Sequence, residues 1–159
     1  MTAAVTTLDA AGIARRVPHQ GAMCWLESLL SWSDERIVCL ADNHLDAAHP
    51  LRSAHGLLAS CAIEYAAQAM ALHGALRAES LGDGTGPVPG FLASARGVEL
   101  ARWRLDDVDA PLRIEAERQA GDNRQLLYRF QVTEATTGDW LARGRATVVL
   151  NTPLTPRQP

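Results

Sequence analysis

The chain has 159 residues, 47% of them hydrophobic and 21% charged, with a formal net charge of −3. Those values suit one globular domain with a core of its own, read as spanning 1–159 with its core at about 15–150. They exclude a disordered chain, and the absence of any uncharged stretch of about 20 residues excludes a spanning helix.

All fifteen basic residues are arginines dispersed through an acidic chain, so no nucleic-acid partner is expected. Asp9, Arg15 and Arg16 interrupt the N-terminal region, and no apolar run marks a secretory signal. The cysteines, Cys24, Cys39 and Cys61, are odd in number and form no CxxC, which fits a reducing compartment. A cytoplasmic protein is the expectation.

Taken in chain order, Asp9 caps a short helix over Ala10–Ala14. Residues 17–22 (VPHQGA) read as a turn around Pro18 and Gly21. A strand follows over Met23–Ser33, then a turn at Ser33–Asp34 and a second strand over Arg36–Asn43. Residues 44–55 form a loop, broken by Pro50, that holds three of the five histidines. Gly56–Glu79 is the one long helix, rich in alanine. Between Gly56 and Gly74 its only polar side chains are Ser60, Glu64, Gln68 and His73. A helix apolar on nearly every face must be buried.

Residues 80–90 form a glycine- and proline-rich loop. Four strands then follow, over Phe91–Leu100, Pro111–Arg118, Gln125–Thr133 and Trp140–Leu150, the last three separated by hairpin turns. The tail, 151–159, is expected to fray. Strand, strand, buried helix and four strands imply an α+β layer, one curved antiparallel sheet wrapped around the helix. One sheet covers only part of such a helix, so a second subunit is expected.

Glu64 is the sharpest candidate for chemistry. Ser60, Glu64 and Gln68 fall one turn apart on a thin polar stripe, and a carboxylate there needs partners or a function. His44, His49 and His55 lie just before the helix and could pair with it as acid and base. His44, Asp46 and His49 match no metal-binding signature, so no metal is expected. Gly56 would let a substrate approach the helix N-terminus closely, where free amides stabilise an oxyanion.

Three segments carry a resemblance. "VPHQGAMCWLESLLSW" (17–32) is similar to the opening of the FabZ/FabA-like 3-hydroxyacyl-carrier-protein dehydratases. "AIEYAAQAMA" (62–71) resembles their central helix, in which an acid precedes glutamine by four positions, as Glu64 precedes Gln68. "GFLASARGVELARWRL" (90–105) resembles their third strand. The divergent dehydratase-like proteins of aryl-polyene pigment clusters are a further likeness. The resemblance implies the hotdog fold, a homodimer or higher oligomer, and no cofactor.

It also implies a substrate, a 3-hydroxyacyl thioester on the phosphopantetheine arm of an acyl carrier protein, in fatty-acid, polyketide or polyene synthesis. His49, directly before Pro50, or His44 would remove the C2 proton. Glu64, kept protonated by the apolar helix, would give a proton to the departing hydroxyl. Gln68 would orient Glu64 or a water. Arg96, Arg102 and Arg104 could form a docking patch for the carrier. Two alternatives remain open at this point: a hotdog thioesterase using Glu64 with His55, and a non-catalytic acyl-binding partner subunit.

Overall fold

The sheet follows from alternation. In the strand Leu112–Gly121, Leu112, Ile114 and Ala116 are buried while Arg113, Glu115 and Glu117 are partly exposed, the period-2 pattern of a half-buried strand. In Gln125–Glu134, Leu126, Tyr128, Phe130 and Val132 are buried in the same way. The computed structural model describes residues 7–82 and 90–150. It contains a short helix α1 (Ala10–Ala14), strands β1 (Ser28–Trp32) and β2 (Arg36–Ala41), a long helix α2 (Ala62–Leu81), and strands β3 (Gly90–Leu100), β4 (Leu112–Gly121), β5 (Gln125–Glu134) and β6 (Trp140–Leu150).

All six strands join one antiparallel sheet in the order β1-β2-β4-β5-β6-β3. Helix α2 packs on β2, β4 and β5, with Tyr65, Ala69, Leu72 and Leu76 in one buried cluster with Ile37, Ile114 and Phe130. The α+β expectation holds, and so does the cap on α1, where the Asp9 carboxylate accepts the Gly12 N–H at 2.8 Å. The sheet leaves one side of α2 thinly covered: Ile63, Ala67, Ala71, Gly74 and Ala78 are only half-buried.

Two element starts lie five or more residues from the sequence expectation, each for a physical reason. The strand expected from Met23 begins only at Ser28. Residues Gly21–Met23 make a 3-10 turn, and the backbone at Met23 and Trp25 is hydrogen-bonded by the Gln68 side chain instead of a neighbouring strand. The helix expected from Gly56 begins as a 3-10 turn at Ala59–Cys61 and becomes α at Ala62. Leu58 bridges Arg104, so the Leu57 carbonyl accepts Leu105 N–H and Ala59 N–H donates to Trp103. Gly82, in the left-handed conformation, ends α2. Most of the expected 80–90 loop and the whole tail fall outside the described residues.

Candidate active site

Glu64 sits in the first turn of α2 with Gln68 one turn further on. Gln68 is fully buried. Its Oε1 accepts the Trp25 N–H at 2.8 Å, and its Nε2 donates to the Met23 carbonyl at 2.8 Å and to Glu64 Oε1 at 3.1 Å. One amide thereby fastens the strand lead-in to the helix and orients the carboxylate. The same lead-in delivers His19, whose Nε2 lies 3.0 Å from Glu64 Oε1. The other ring nitrogen of His19, Nδ1, is buried with no hydrogen-bond partner among the described residues. Among the described residues nothing hydrogen-bonds Glu64 Oε2. Glu64 is about one-third exposed and His19 about one-quarter.

Burial pushes the Glu64 carboxyl up, but hydrogen bonds from His19 and Gln68 and the charge of His19 outweigh it. The group is held below the ordinary carboxylate range. This corrects the expectation that the apolar helix keeps Glu64 protonated: two donors on one oxygen favour the ionised form more than burial disfavours it.

The loop histidines make their hydrogen bonds elsewhere. His49 Nδ1 accepts the Leu51 N–H at 3.1 Å, and Nε2 lies 3.3 Å from the Tyr65 hydroxyl. That hydroxyl donates in turn to Asn43 Oδ1. The network assigns a neutral ring protonated on Nε2; the ring also packs on Trp25 at 4.5 Å. Burial holds His49 below the usual histidine range. His44 is fully buried with Nε2 on the Val108 carbonyl at 2.9 Å, and desolvation likewise lowers it. His55 is exposed, with its backbone N–H on Ser53 Oγ at 3.1 Å. None of the three hydrogen-bonds Glu64.

Gly56 lies outside the helix and its amide is engaged with the Ser53 carbonyl at 3.0 Å. The next amide, of Leu57, donates to Asp106 Oδ1 at 3.0 Å. These two amides therefore serve the loop and are not left over for an oxyanion. What approaches Gly56 closely is an ion pair: a Cβ there would fall 2.5 Å from Arg104 Nε and 2.6 Å from Asp106 Oδ1. Asp106, held far below the usual carboxylate range by the Arg104 guanidinium, also pairs with Arg52 at 3.1 Å. Of the expected docking arginines, Arg104 is thus tied to Asp106 and Arg102 to Asp107, while Arg96 stands on the sheet. Among the described residues no three His, Cys, Asp or Glu side chains are grouped to hold a metal ion.

His19 is the partner that sequence reasoning missed. In the sequence it lies within the VPHQGA turn, 45 positions before Glu64, with no local signal that joins the two.

A long helix wrapped by an antiparallel sheet in this strand order makes the chain a hotdog-fold protein. Its structure matches that of the dehydratase heterocomplex ApeI:P from Xenorhabdus doucetiae, with a TM-score of 0.77, 21% identity, and coverage of 89% of this chain and 91% of that one. It also matches a hypothetical thioesterase with coenzyme A from Streptococcus pneumoniae (TM-score 0.51, 17% identity, 77% and 83% covered). A mutant thioesterase from Pseudomonas aeruginosa matches too (TM-score 0.56, 11% identity, 79% and 80% covered). No curated protein matches it in sequence. The chain belongs to the ApeP-like family, whose model, described as ApeP dehydratase, matches residues 11–156. It is a dehydratase, a lyase that eliminates water.

Proposed function

We propose that the protein dehydrates a 3-hydroxyacyl thioester carried by an acyl carrier protein, with Glu64 and His19 as the acid–base pair. The single observation that carries this reading is the 3.0 Å contact between His19 Nε2 and Glu64 Oε1, beside an Oε2 that accepts no hydrogen bond among the described residues. Glu64, held ionised, takes the C2 proton through Oε2. The C2–H electrons form the C2=C3 double bond as the C3–O bond breaks. His19, protonated, gives its proton to the departing hydroxyl, which leaves as water. Glu64 is then protonated and His19 neutral, and a proton passing across their contact restores the pair. The roles are the reverse of those the resemblance implied, because Glu64 rests as a carboxylate. Gln68 holds Glu64 in place. His49 and His44 brace the loop that precedes the helix.

We place this activity in a dimer formed along β3. That strand is a sheet edge, exposed over most of its length, with Phe91, Leu92 and Leu100 exposed and Trp103 87% exposed just beyond it. An edge of this kind pairs with another chain unless it is blocked. A second copy is the proposed partner, and a paralogous subunit is the alternative that the Xenorhabdus heterocomplex brings to mind. The free cysteines suit the cytoplasm.

The test loads a carrier protein with a 3-hydroxyacyl group, adds the purified protein, and weighs the pantetheine arm by mass spectrometry. Loss of one water, reduced about 100-fold or more in both Glu64→Gln and His19→Gln, supports the reading. Loss of water that survives His19→Gln removes His19 from it. Free holo-carrier would point to a thioesterase, and unchanged substrate to a binding subunit.

A further inference from the structure

The face of the sheet that packs on α2 is apolar along β4, where Leu112, Ile114 and Ala116 are buried. The next side chain on that face is charged. Arg118 follows Ala116 by two positions and pairs in register with Tyr128 of β5, which is fully buried. A guanidinium turned toward the core side of a strand calls for a partner, since such groups are otherwise kept in water.

Helix α2 brings a second arginine to the same place. His73 bonds the Tyr128 hydroxyl through Nδ1 and the Ser33 carbonyl through Nε2, each at 2.7 Å. Arg77 stands one turn beyond His73, with its side chain only 24% exposed. Burial lowers His73 and raises Tyr128, and both guanidinium charges lie close enough to act on each, adding to the first shift and opposing the second. The β1–β2 turn closes the third side: Trp32 precedes Ser33, and the Arg118 N–H donates to the Glu35 carbonyl at 2.6 Å.

The groups gathered here are donors without acceptors. Among the described residues five side-chain nitrogens are buried with no hydrogen-bond partner, and three of them, Arg77 Nε, Arg118 Nε and Trp32 Nε1, belong to this one neighbourhood. The Asp34 carboxylate comes no nearer to Arg77 Nε than 3.9 Å and is itself 81% exposed. Arg118 forms no ion pair among the described residues. Buried donors left unpaired are costly, and so are like charges held near each other. An oxyanion that accepts from both guanidinium forks offsets both costs. The three donors come from a helix, a strand and a strand end, so a tetrahedral anion, with oxygens in several directions, suits them better than a planar carboxylate.

We propose that Arg77, Arg118 and the Trp32 indole N–H form a binding site for a phosphate group, either the free ion or a small phosphate monoester. Arg77 lies 13 residues beyond Glu64, about 20 Å along the helix axis, and the inference is independent of the catalytic reading. Its test is an NMR titration of the isotope-labelled full chain, read at the indole N–H resonances of the four tryptophans. Trp32→Phe identifies the Trp32 signal. Inorganic phosphate should shift that signal saturably, and sodium chloride at the same ionic strength should not. Acetate should need at least about tenfold more for half-saturation. Glycerol phosphate in a parallel titration tells the sources apart: tighter binding than phosphate assigns the site to an ester, weaker binding to the free ion. Half-saturation by phosphate should rise about tenfold or more in Arg77→Gln and in Arg118→Gln, and the dispersion of the backbone amide signals shows that each variant is folded. Should either variant fail to fold, the comparison of phosphate with chloride and acetate in the unaltered chain still decides. A phosphate shift no greater than that from chloride, equal half-saturation by acetate, or unchanged half-saturation in the folded variants overturns the proposal.

Discussion

Gln68 Nε2 donates to Glu64 Oε1 at 3.1 Å from one helical turn away, while the same side chain holds the backbone of Met23 and Trp25. The carboxylate and the lead-in that carries His19 thus share one support. Gln68→Met keeps the volume and removes all three bonds. A buried Trp25 N–H without a partner costs about 1–3 kcal/mol, so the denaturation midpoint should drop. If Gln68 positions Glu64, turnover on a carrier-bound substrate should fall about tenfold or more beyond any loss of folded protein. Gln68→Glu, which keeps an acceptor for Trp25 N–H but sets a second carboxyl beside Glu64, should retain more stability than Gln68→Met while losing comparable activity. A paired set of urea melts and rate measurements separates the two effects.

The ionisation of Glu64 depends on His19. Burial alone would raise the carboxyl, and the hydrogen bond from His19 leads the forces that lower it. His19→Gln removes the imidazole whose hydrogen bond and charge lower the carboxyl, so the Glu64 pKa should move upward. With Glu64 as the base, activity is lost as the carboxylate protonates, and the acid limb of the kcat/KM profile should move to higher pH in any residual activity. Carboxyl-resolved NMR titration of Glu64 in both proteins measures the shift directly. An unchanged Glu64 titration would show that the 3.0 Å contact has no electrostatic consequence.

His73 governs a second pH dependence, remote from the site. Its Nδ1 lies 2.7 Å from the Tyr128 hydroxyl and its Nε2 2.7 Å from the Ser33 carbonyl. It is fully buried, and desolvation takes it down from 6.5 to about 4. Because the folded value is depressed, the fold favours the neutral ring. The stability linked to it is present in full above pH 6.5 and is lost as pH falls from 6.5 toward 4, by about 3 kcal/mol at most. Thermal melts between pH 7.5 and 4 should show a steeper acid loss in the wild type than in His73→Gln. Parallel curves would assign the acid sensitivity to other groups.

The sequence made the scaffold legible because its signals are local. Period-2 alternation marked β4, β5 and β6, and Trp140–Leu150 coincides with the observed strand. Asp9 marked the start of α1 for the same reason. Glu64 and Gln68 were legible too, since a helical turn fixes their relation. The start of α2 was not, because the backbone at Leu57–Ala59 bonds to residues 103–105, a pairing with no local signature. His19 was hidden for a similar reason. Its link to Glu64 depends on Gln68 fastening Met23 and Trp25 to the helix, a tertiary contact across more than 40 residues. His49, which stood out beside the helix, proves to be held at both ring nitrogens.

Gly56 offers the last test, and it separates a loop role from a substrate role. Its φ of +89 lies in the region that disfavours a side chain, and an added Cβ would fall 2.5 Å from Arg104 Nε and 2.6 Å from Asp106 Oδ1. Gly56→Ala must displace that pair, disturbing the carboxylate that also holds Leu57 N–H and Arg52. The backbone strain alone costs about 1–3 kcal/mol. The variant should therefore melt at lower temperature, and removing Asp106 beforehand (Asp106→Ala) should shrink the additional loss, since part of the clash is with that side chain. A double-mutant cycle over Gly56→Ala and Asp106→Ala measures this coupling. Strict additivity would mean that the glycine is required by its backbone conformation and not by the ion pair packed against it. If Gly56→Ala instead left stability intact and raised only KM, the close approach would belong to substrate, as the sequence alone suggests.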